Sequence, residues 1–171
     1  VPNPILSENH FHTADRVIEE KADFGVAFDG DFDRCFFFDE LGQFVPGEVM
    51  VGLLAMAQSK NGKQTIVHDP RLTMNIRDVC ERLGSNPVQS KTGHLFMKQV
   101  MRDVNAVYGG EISAHHYFRE FYFCDSGMIP WLIVCELLGD MQTSLSEVLD
   151  ERAGLFPSSG EINFSTIDVG K

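Results

Sequence analysis

The feature that most constrains the fold is the alternation of short strand-like runs with longer helical segments between residues 47 and 150. The predicted strands cover residues 64–68, 86–89 and 106–108, and helical segments precede, separate and follow them. Alternation at this spacing favours parallel β-α-β units, in which helices cover both faces of a sheet. We therefore expect an α/β fold, a three-layer α/β/α sandwich with a mainly parallel or mixed sheet.

Capping signals predict where the helices of this region begin and end. Thr73 is a candidate N-cap for a helix that ends near Gly84. Pro130 suits the first turn of a later helix, because its missing N–H is unpaired there in any case. Ser144 and Glu147 have the spacing of a capping box at the start of the last helix.

An acidic loop lies between two apolar runs near the start of the chain. Residues 24–28 and 35–38 predict two strands, and the loop between them reads DGDFDR. The carboxylates of Asp29, Asp31 and Asp33 stand at alternate positions and can converge on one hard cation. Three such groups repel one another unless a cation lies among them, and an oxygen-only ligand set suits Mg²⁺. The pattern predicts a Mg²⁺ site, and the alternative is a polar turn.

Two other motifs share this acidic pattern. An EF-hand requires Gly at its sixth position, where this loop has Arg34, and strand-like CFFF would fill the middle of the calcium loop, so an EF-hand is excluded. A phosphotransferase of the haloacid dehalogenase type needs a nucleophilic Asp after a buried strand and a second Asp two residues later. Asp29 and Asp31 match that spacing. No later acidic pair completes the metal site of that enzyme class, which stays as the weaker alternative.

Three further loops follow predicted strands at their carboxyl ends, where open α/β sheets bind ligands. Those loops span residues 69–71, 91–94 and 109–116. Arg71 and Lys91 are cations placed where a phosphate could be held. His94 and His115 are candidates for proton transfer near neutral pH. Each of these side chains, taken singly, also fits a solvated or capping role, but their common edge favours a ligand site.

Charge and composition exclude several classes of protein. The net charge of −11 leaves no general counter-charge for nucleic acid or an anionic membrane. No apolar stretch approaches the ~18 residues of a membrane-spanning helix. The four cysteines form no C-x-x-C pair and mostly lie in apolar runs, which predicts buried thiols in a reduced, cytoplasmic protein. The Pro/Asn-rich opening and Gly/Ser-rich close indicate part of a longer chain.

The motifs FDGDFDR, KTGH and GEISAHHYF, in this order and spacing, closely resemble those of the α-D-phosphohexomutases, especially the bacterial phosphomannomutase/phosphoglucomutase group. The resemblance covers essentially the whole chain, and the pair DGDxDR and GE[MI]S is highly specific. It implies that residues 1–42 form the C-terminal part of mutase domain 2, a β-loop-β remnant. Residues 43–150 would form domain 3, and residues 151–171 a linker towards an absent domain 4.

The resemblance also implies roles for the matched residues. It assigns Mg²⁺ binding to Asp29, Asp31 and Asp33, and catalysis to Arg34, His94 and His115. It assigns substrate binding to Arg71, Glu111 and Ser113, and Lys91 joins this group through its loop position. The implied reaction interconverts mannose 6-phosphate and mannose 1-phosphate through a phosphoserine and a bisphosphate, on the route to GDP-mannose. Phosphoglucomutase or bifunctional phosphohexomutase activity is an alternative, and so is a non-catalytic metal-binding module.

The chain departs from the family pattern in two places. It has no Ser-His-Asn-Pro phosphoserine loop, since residues 84–87 read GSNP without the histidine. It also lacks the Arg-rich phosphate-clamping loop of domain 4. We therefore expect the isolated chain to be inactive. Its expected partners are a hexose phosphate and the remaining mutase domains of a parent chain.

Overall fold

The computed structural model describes residues 3–156, in which the chain forms six α-helices and seven strands. The helices are α1 (Phe11–Glu20), α2 (Gly47–Ser59), α3 (Thr73–Leu83), α4 (His94–Asp103), α5 (Pro130–Met141) and α6 (Leu145–Leu155). The strands are β1 (Phe24–Phe28), β2 (Cys35–Asp39), β3 (Thr65–His68), β4 (Asn86–Gln89), β5 (Tyr108–Gly110), β6 (His116–Phe118) and β7 (Cys124–Asp125). No helix among these residues is both long enough and apolar enough to cross a bilayer.

The larger sheet has five strands in the order β4-β3-β5-β6-β7. Strands β4, β3 and β5 are parallel, whereas β6 and β7 are antiparallel to their neighbours. The sheet is therefore mixed, which confirms the predicted fold class. The third strand of the prediction, at residues 106–108, lies two residues too early: β5 begins at Tyr108, opposite Ile66 of β3. The last two strands were missed, since runs of three and two residues show no readable alternation.

Consecutive side chains of β3 belong to two different cores. Ile66 is fully buried in a cluster that includes residues of α2, α3 and α5. Val67 is fully buried in a second cluster, together with Met97 and Met101 of α4. Because successive side chains of a strand point to opposite faces of the sheet, helices cover both faces. This arrangement is the expected three-layer α/β/α sandwich.

Strands β1 and β2 form a separate antiparallel hairpin, with Phe24 opposite Asp39 and Phe28 opposite Cys35. All five residues of β2 are buried. Cys35 and Phe37 belong to the same buried cluster as α2 and α5. The hairpin is the predicted β-loop-β unit, and it packs on the core of the sandwich.

The N-terminus of α3 differs from the prediction. Thr73 is the first helical residue and not the N-cap, because a short 3-10 turn over residues 70–72 precedes it. Asp69 caps that turn by accepting a hydrogen bond from the Arg71 backbone N–H at 2.8 Å. At the other end, Gly84 has a φ of 66°, so the helix stops at the predicted glycine.

The capping box at the start of α6 is present. The Ser144 hydroxyl accepts a hydrogen bond from the Glu147 N–H at 3.3 Å, and the Glu147 carboxylate accepts one from the Ser144 N–H at 3.2 Å. Replacing Ser144 by alanine should lower the free energy of unfolding by about 1 kcal/mol, whereas Ser144→Gly should cost only a few tenths. Urea denaturation of both variants measures this difference. Equal losses in the two variants would contradict a capping role.

Two other expectations differ from the structure. Cys35 and Cys80 are buried, but Cys124 is half-buried and Cys135 is exposed on α5, so the buried-thiol prediction holds for only two of the four cysteines. Helix α6 continues to Leu155, so residues 151–155 of the predicted linker are helical. The rest of the predicted linker, from residue 157 onwards, lies outside the described residues.

Candidate functional site

Strands β4, β3 and β5 end at one edge of the sheet, and the loops that follow them are joined there by two buried carboxylates. Asp69 accepts a hydrogen bond from the Ile112 backbone N–H at 3.0 Å. Glu111 accepts one from the Gly93 backbone N–H at 2.6 Å. Asp69 is 0% exposed and Glu111 1% exposed. The three loops that the sequence predicts at a common edge therefore do meet.

The acidic loop between β1 and β2 lies against the same edge. Arg34 and His115 form an antiparallel bridge, and the Cys35 N–H donates to the Ala114 carbonyl at 3.4 Å. The Gly127 N–H donates to the Phe32 carbonyl at 3.1 Å. These backbone contacts bring two motifs that are about eighty residues apart in sequence into one site.

Within the acidic loop, Asp29 is buried and Arg34 holds it from two sides. The Arg34 Nε lies 2.6 Å from one carboxylate oxygen, and the Arg34 backbone N–H lies 3.2 Å from the other. Burial alone raises the pKa of Asp29, but the hydrogen bonds and positive charge of Arg34 outweigh it and hold the pKa below its usual value. Asp29 is therefore ionised at neutral pH.

The three aspartates of this loop fit a magnesium ion. Asp29, Asp31 and Asp33 each offer a carboxylate oxygen, and these atoms lie within 4.8 Å of one another. Oxygens that share one Mg²⁺ lie at most about 4.2 Å apart, because each bond is about 2.1 Å long. The three carboxylates therefore stand close enough together to be candidates for one shared ion. Burial raises the pKa of Asp33, and the carboxylates of Asp29 and Asp31 add to this shift, whereas the neighbouring His115 opposes it.

Two histidines stand beside the aspartates. His94 begins α4, and His115 ends the loop of residues 111–115 between β5 and β6, called the Glu111 loop below. Their ring centroids are 4.5 Å apart. The His115 Nε2 lies 3.5 Å from an Asp33 oxygen, and its Nδ1 lies 3.0 Å from the Ser113 hydroxyl. Burial lowers the pKa of His115 despite the attraction of Asp33. A neutral imidazole at this position can accept a proton.

Glu111 is not open to solvent in this structure. One carboxylate oxygen accepts the Gly93 N–H, and the other accepts the Tyr117 hydroxyl at 2.6 Å. Burial and the Glu111 carboxylate raise the pKa of Tyr117, so the tyrosine stays a hydrogen-bond donor. Ser113 is half-buried beside His115. A carboxylate has about four acceptor sites, so Glu111 keeps acceptor capacity once a ligand gains access.

The two predicted phosphate-binding cations lie on the loops at this edge. The Arg71 Nη2 pairs with Asp69 at 2.9 Å, and its side chain remains 46% exposed. The Lys91 Nζ lies 5.4 Å from the centre of the Phe96 ring, and Lys91 is exposed. Both charges keep the solvent access that binding a phosphate requires.

Sequence reasoning missed two charged residues of the site. Asp125, on β7, has one oxygen 2.8 Å from the Lys98 Nζ and the other 3.0 Å from the His94 Nδ1. Burial raises the pKa of Asp125, but Lys98 and His94 outweigh it, and the net shift is downwards. The CDSG turn is the only local signal for Asp125, because a two-residue strand has no detectable pattern.

Comparisons with known families match almost the whole described region. Residues 46–156 match the family described as phosphoglucomutase/phosphomannomutase, alpha/beta/alpha domain III. Residues 1–42 match alpha/beta/alpha domain II of the same family. A crystal structure of a phosphoglucomutase/phosphomannomutase family protein from Burkholderia thailandensis is 28% identical, with a TM-score of 0.76 over 90% of this chain and 34% of that one. A putative phosphomannomutase from Thermus thermophilus shares the fold, with a TM-score of 0.80 at 24% identity.

Curated relatives are closer in sequence. The phosphomannomutase of Escherichia coli K12 is 56% identical over 164 residues, which cover 95% of this chain and 36% of the relative. The protein named phosphohexose mutases from Xanthomonas campestris is 55% identical over 99% of this chain and 38% of its own length. The chain thus spans little more than a third of these relatives. Since its two motif-bearing segments match successive domains of one family and its relatives carry mutase names, the chain belongs to the phosphoglucomutase/phosphomannomutase family.

Proposed function

We propose that the full protein containing this chain is a phosphomannomutase, an intramolecular phosphotransferase that interconverts mannose 6-phosphate and mannose 1-phosphate on the route to GDP-mannose. The observation that carries this proposal is the meeting of the aspartate triad, the two histidines and the Glu111 loop at one edge of the sheet. Relatives named phosphomannomutase at 56–57% identity support the choice of sugar. Family membership leaves no support for the haloacid dehalogenase alternative.

In this proposal the aspartate triad carries the metal. Asp29, Asp31 and Asp33 would hold Mg²⁺, which offsets negative charge on the transferring phosphoryl group when bound. Arg34 keeps Asp29 ionised and oriented through its two hydrogen bonds. Arg71 and Lys91 would bind the phosphate that is not being transferred, because both are exposed cations on the loops at this edge.

His115 is the better placed of the two histidines for proton transfer. The Ser113 hydroxyl can accept the proton on Nδ1, which leaves the Nε2 lone pair on the side of Asp33. His115 would take the proton of the attacking sugar hydroxyl as that oxygen bonds to phosphorus and the serine–phosphorus bond breaks. His94, which lies against the His115 ring, would give a proton to the leaving serine oxygen. In the reverse transfer His115 would return its proton to the sugar oxygen that leaves phosphorus, and His94 would take the proton of the serine hydroxyl as it attacks.

The phosphoserine and the main phosphate clamp would come from other domains of the full protein, because the 171 residues contain neither motif. We propose that residues 1–42 close domain 2 and that residues 43–150 form the body of domain 3, limits that the family matches to 1–42 and 46–156 support. Four free cysteines suit the reducing cytoplasm, where we place the reaction.

Turnover by the full protein tests the proposal. With glucose 1,6-bisphosphate as activator and Mg²⁺ present, we expect conversion of mannose 1-phosphate with a kcat/KM at least about tenfold above that of glucose 1-phosphate, a difference of about 1.4 kcal/mol in the barrier. Equal values would favour the bifunctional alternative. The absence of turnover with either sugar would overturn the proposed activity and favour a non-catalytic metal-binding module.

The isolated 171-residue chain should not turn over either sugar phosphate. The reason is chemical, because without a serine phosphate no group in the chain can donate a phosphoryl group to the sugar. A coupled assay of the isolated chain beside the full protein, at equal concentration, measures this. Turnover of the isolated chain above the rate without enzyme would show that it contains its own donor.

A further inference from the structure

A second cluster of potential metal ligands lies next to the aspartate triad. Asp33, His94, His115 and Asp125 each offer one ligand atom, and these four atoms lie within 4.8 Å of one another. The His94 Nδ1 is 3.0 Å from an Asp125 oxygen, and the His115 Nε2 is 3.5 Å from an Asp33 oxygen. Ligands of a tetrahedral ion with bonds of about 2.0–2.2 Å are separated by about 3.3–3.6 Å. The two measured distances within the cluster are therefore already close to this spacing.

The donor set differs from that of the triad. The triad offers only carboxylate oxygens, which suit Mg²⁺. The second cluster offers two imidazole nitrogens and two carboxylate oxygens, a combination that suits Zn²⁺ and similar transition metals. The chemistry of the ligands therefore separates the two sites, although both include Asp33.

An independent observation concerns the Asp125 side chain, which is only 7% exposed. Its Oδ1 pairs with Lys98, whereas its buried Oδ2 makes no hydrogen bond among the described residues, although the His94 Nδ1 lies 3.0 Å from it. Leaving a buried polar atom unpaired is costly, and such atoms usually have a partner. This oxygen is the one that faces His94, so it is directed into the cluster.

The surroundings of the cluster would orient its ligands. The Ser113 hydroxyl can accept the His115 Nδ1 proton, which directs the other ring nitrogen to the ion. Lys98 fixes the orientation of Asp125 through the oxygen that does not face the cluster. The His94 side chain is 46% exposed and provides a path for an ion from solvent.

We propose that Asp33, His94, His115 and Asp125 form a second cation site that takes Zn²⁺ or a transition metal of similar ligand preference. Because Asp33 belongs to both sets, the second ion competes with Mg²⁺ for that carboxylate. Its binding also uses the lone pairs of both histidines, so on the proposed function a bound Zn²⁺ would inhibit proton transfer.

Metal binding by the full chain, without any assay of activity, tests the site. We expect Co²⁺ to give the intense visible absorption of a tetrahedral complex, and Zn²⁺ to displace it. Calorimetric titration with Zn²⁺ should give a Kd at least about tenfold weaker for His94→Ala and for Asp125→Asn, since each removes one ligand. Asp31→Asn removes a ligand of the triad alone and should leave the Zn²⁺ affinity unchanged. His12→Ala, at an exposed histidine outside the cluster, is the control for adventitious binding.

Two results would overturn the second site. One is Zn²⁺ affinity that is the same in the unmodified chain and in His94→Ala, a variant at a half-exposed position that does not depend on refolding a core. The other is weak, octahedral Co²⁺ absorption that Asp31→Asn abolishes, which would place the ion in the triad. Because the readout is binding, failure here leaves the proposed mutase activity standing, and loss of that activity leaves this site standing.

Discussion

Replacing Asp31 by asparagine is expected to lower the kcat of the full protein at least about a hundredfold without lowering its Tm. Removal of one group that stabilises transition-state charge typically costs about 10²–10³ in rate. Asp31 is exposed at the tip of the acidic loop, so its replacement disturbs no packing. The change removes one of the three carboxylates that would hold Mg²⁺ and keeps the size of the side chain.

The matched control is Asp23→Asn, which changes an exposed carboxylate immediately before β1 of the same hairpin. This control should keep the kcat of the unmodified protein. Steady-state kinetics over a range of Mg²⁺ concentrations, together with thermal melts, measure both variants. Full activity of Asp31→Asn in the presence of a chelator would remove the metal assignment.

Replacing Glu111 by alanine should lower kcat/KM at least about tenfold for both the 1-phosphate and the 6-phosphate of the sugar. On the proposed function the hexose binds in two orientations, and the Glu111 loop would serve both substrates. A hydrogen bond to a charged group contributes about 1.5–3 kcal/mol, which corresponds to about tenfold or more in rate. The same variant should lose about 1–3 kcal/mol of stability, because the Tyr117 hydroxyl and the Gly93 N–H lose their acceptor.

Glu111→Gln separates the two effects. Its amide oxygen can accept the Gly93 N–H, and its amide nitrogen can donate to the Tyr117 oxygen, so most of the stability should be kept. The charge that would strengthen the proposed sugar contact is lost, and kcat/KM should fall for both substrates. Tyr117→Phe removes one hydrogen-bond partner of Glu111 but keeps the Glu111 charge. Of the three variants it should therefore show the smallest loss of kcat/KM. Loss for only one of the two sugar phosphates would show that the loop does not hold the sugar in both orientations.

The sequence was most informative where a local pattern is long or specific. The hairpin at residues 24–39 follows from two apolar runs around an acidic loop, and the Ser144 capping box follows from two residues three positions apart. For the mixed sheet the sequence predicted the fold class but not the last two strands, because β6 and β7 have only three and two residues. Such strands exist because a neighbouring strand supplies their hydrogen bonds, and that neighbour is not visible in the local pattern.

The sequence by itself determined the residues that can carry chemistry and their order along the chain. Only the tertiary structure decided which of these residues contact one another. It covers Glu111 with Tyr117 and Gly93, and it places Asp125 against His94, 31 positions away in sequence. The physical reason is that burial and hydrogen bonding of a carboxylate depend on groups brought together by chain folding, whereas spacing along the chain reports only what one helix, strand or loop can align.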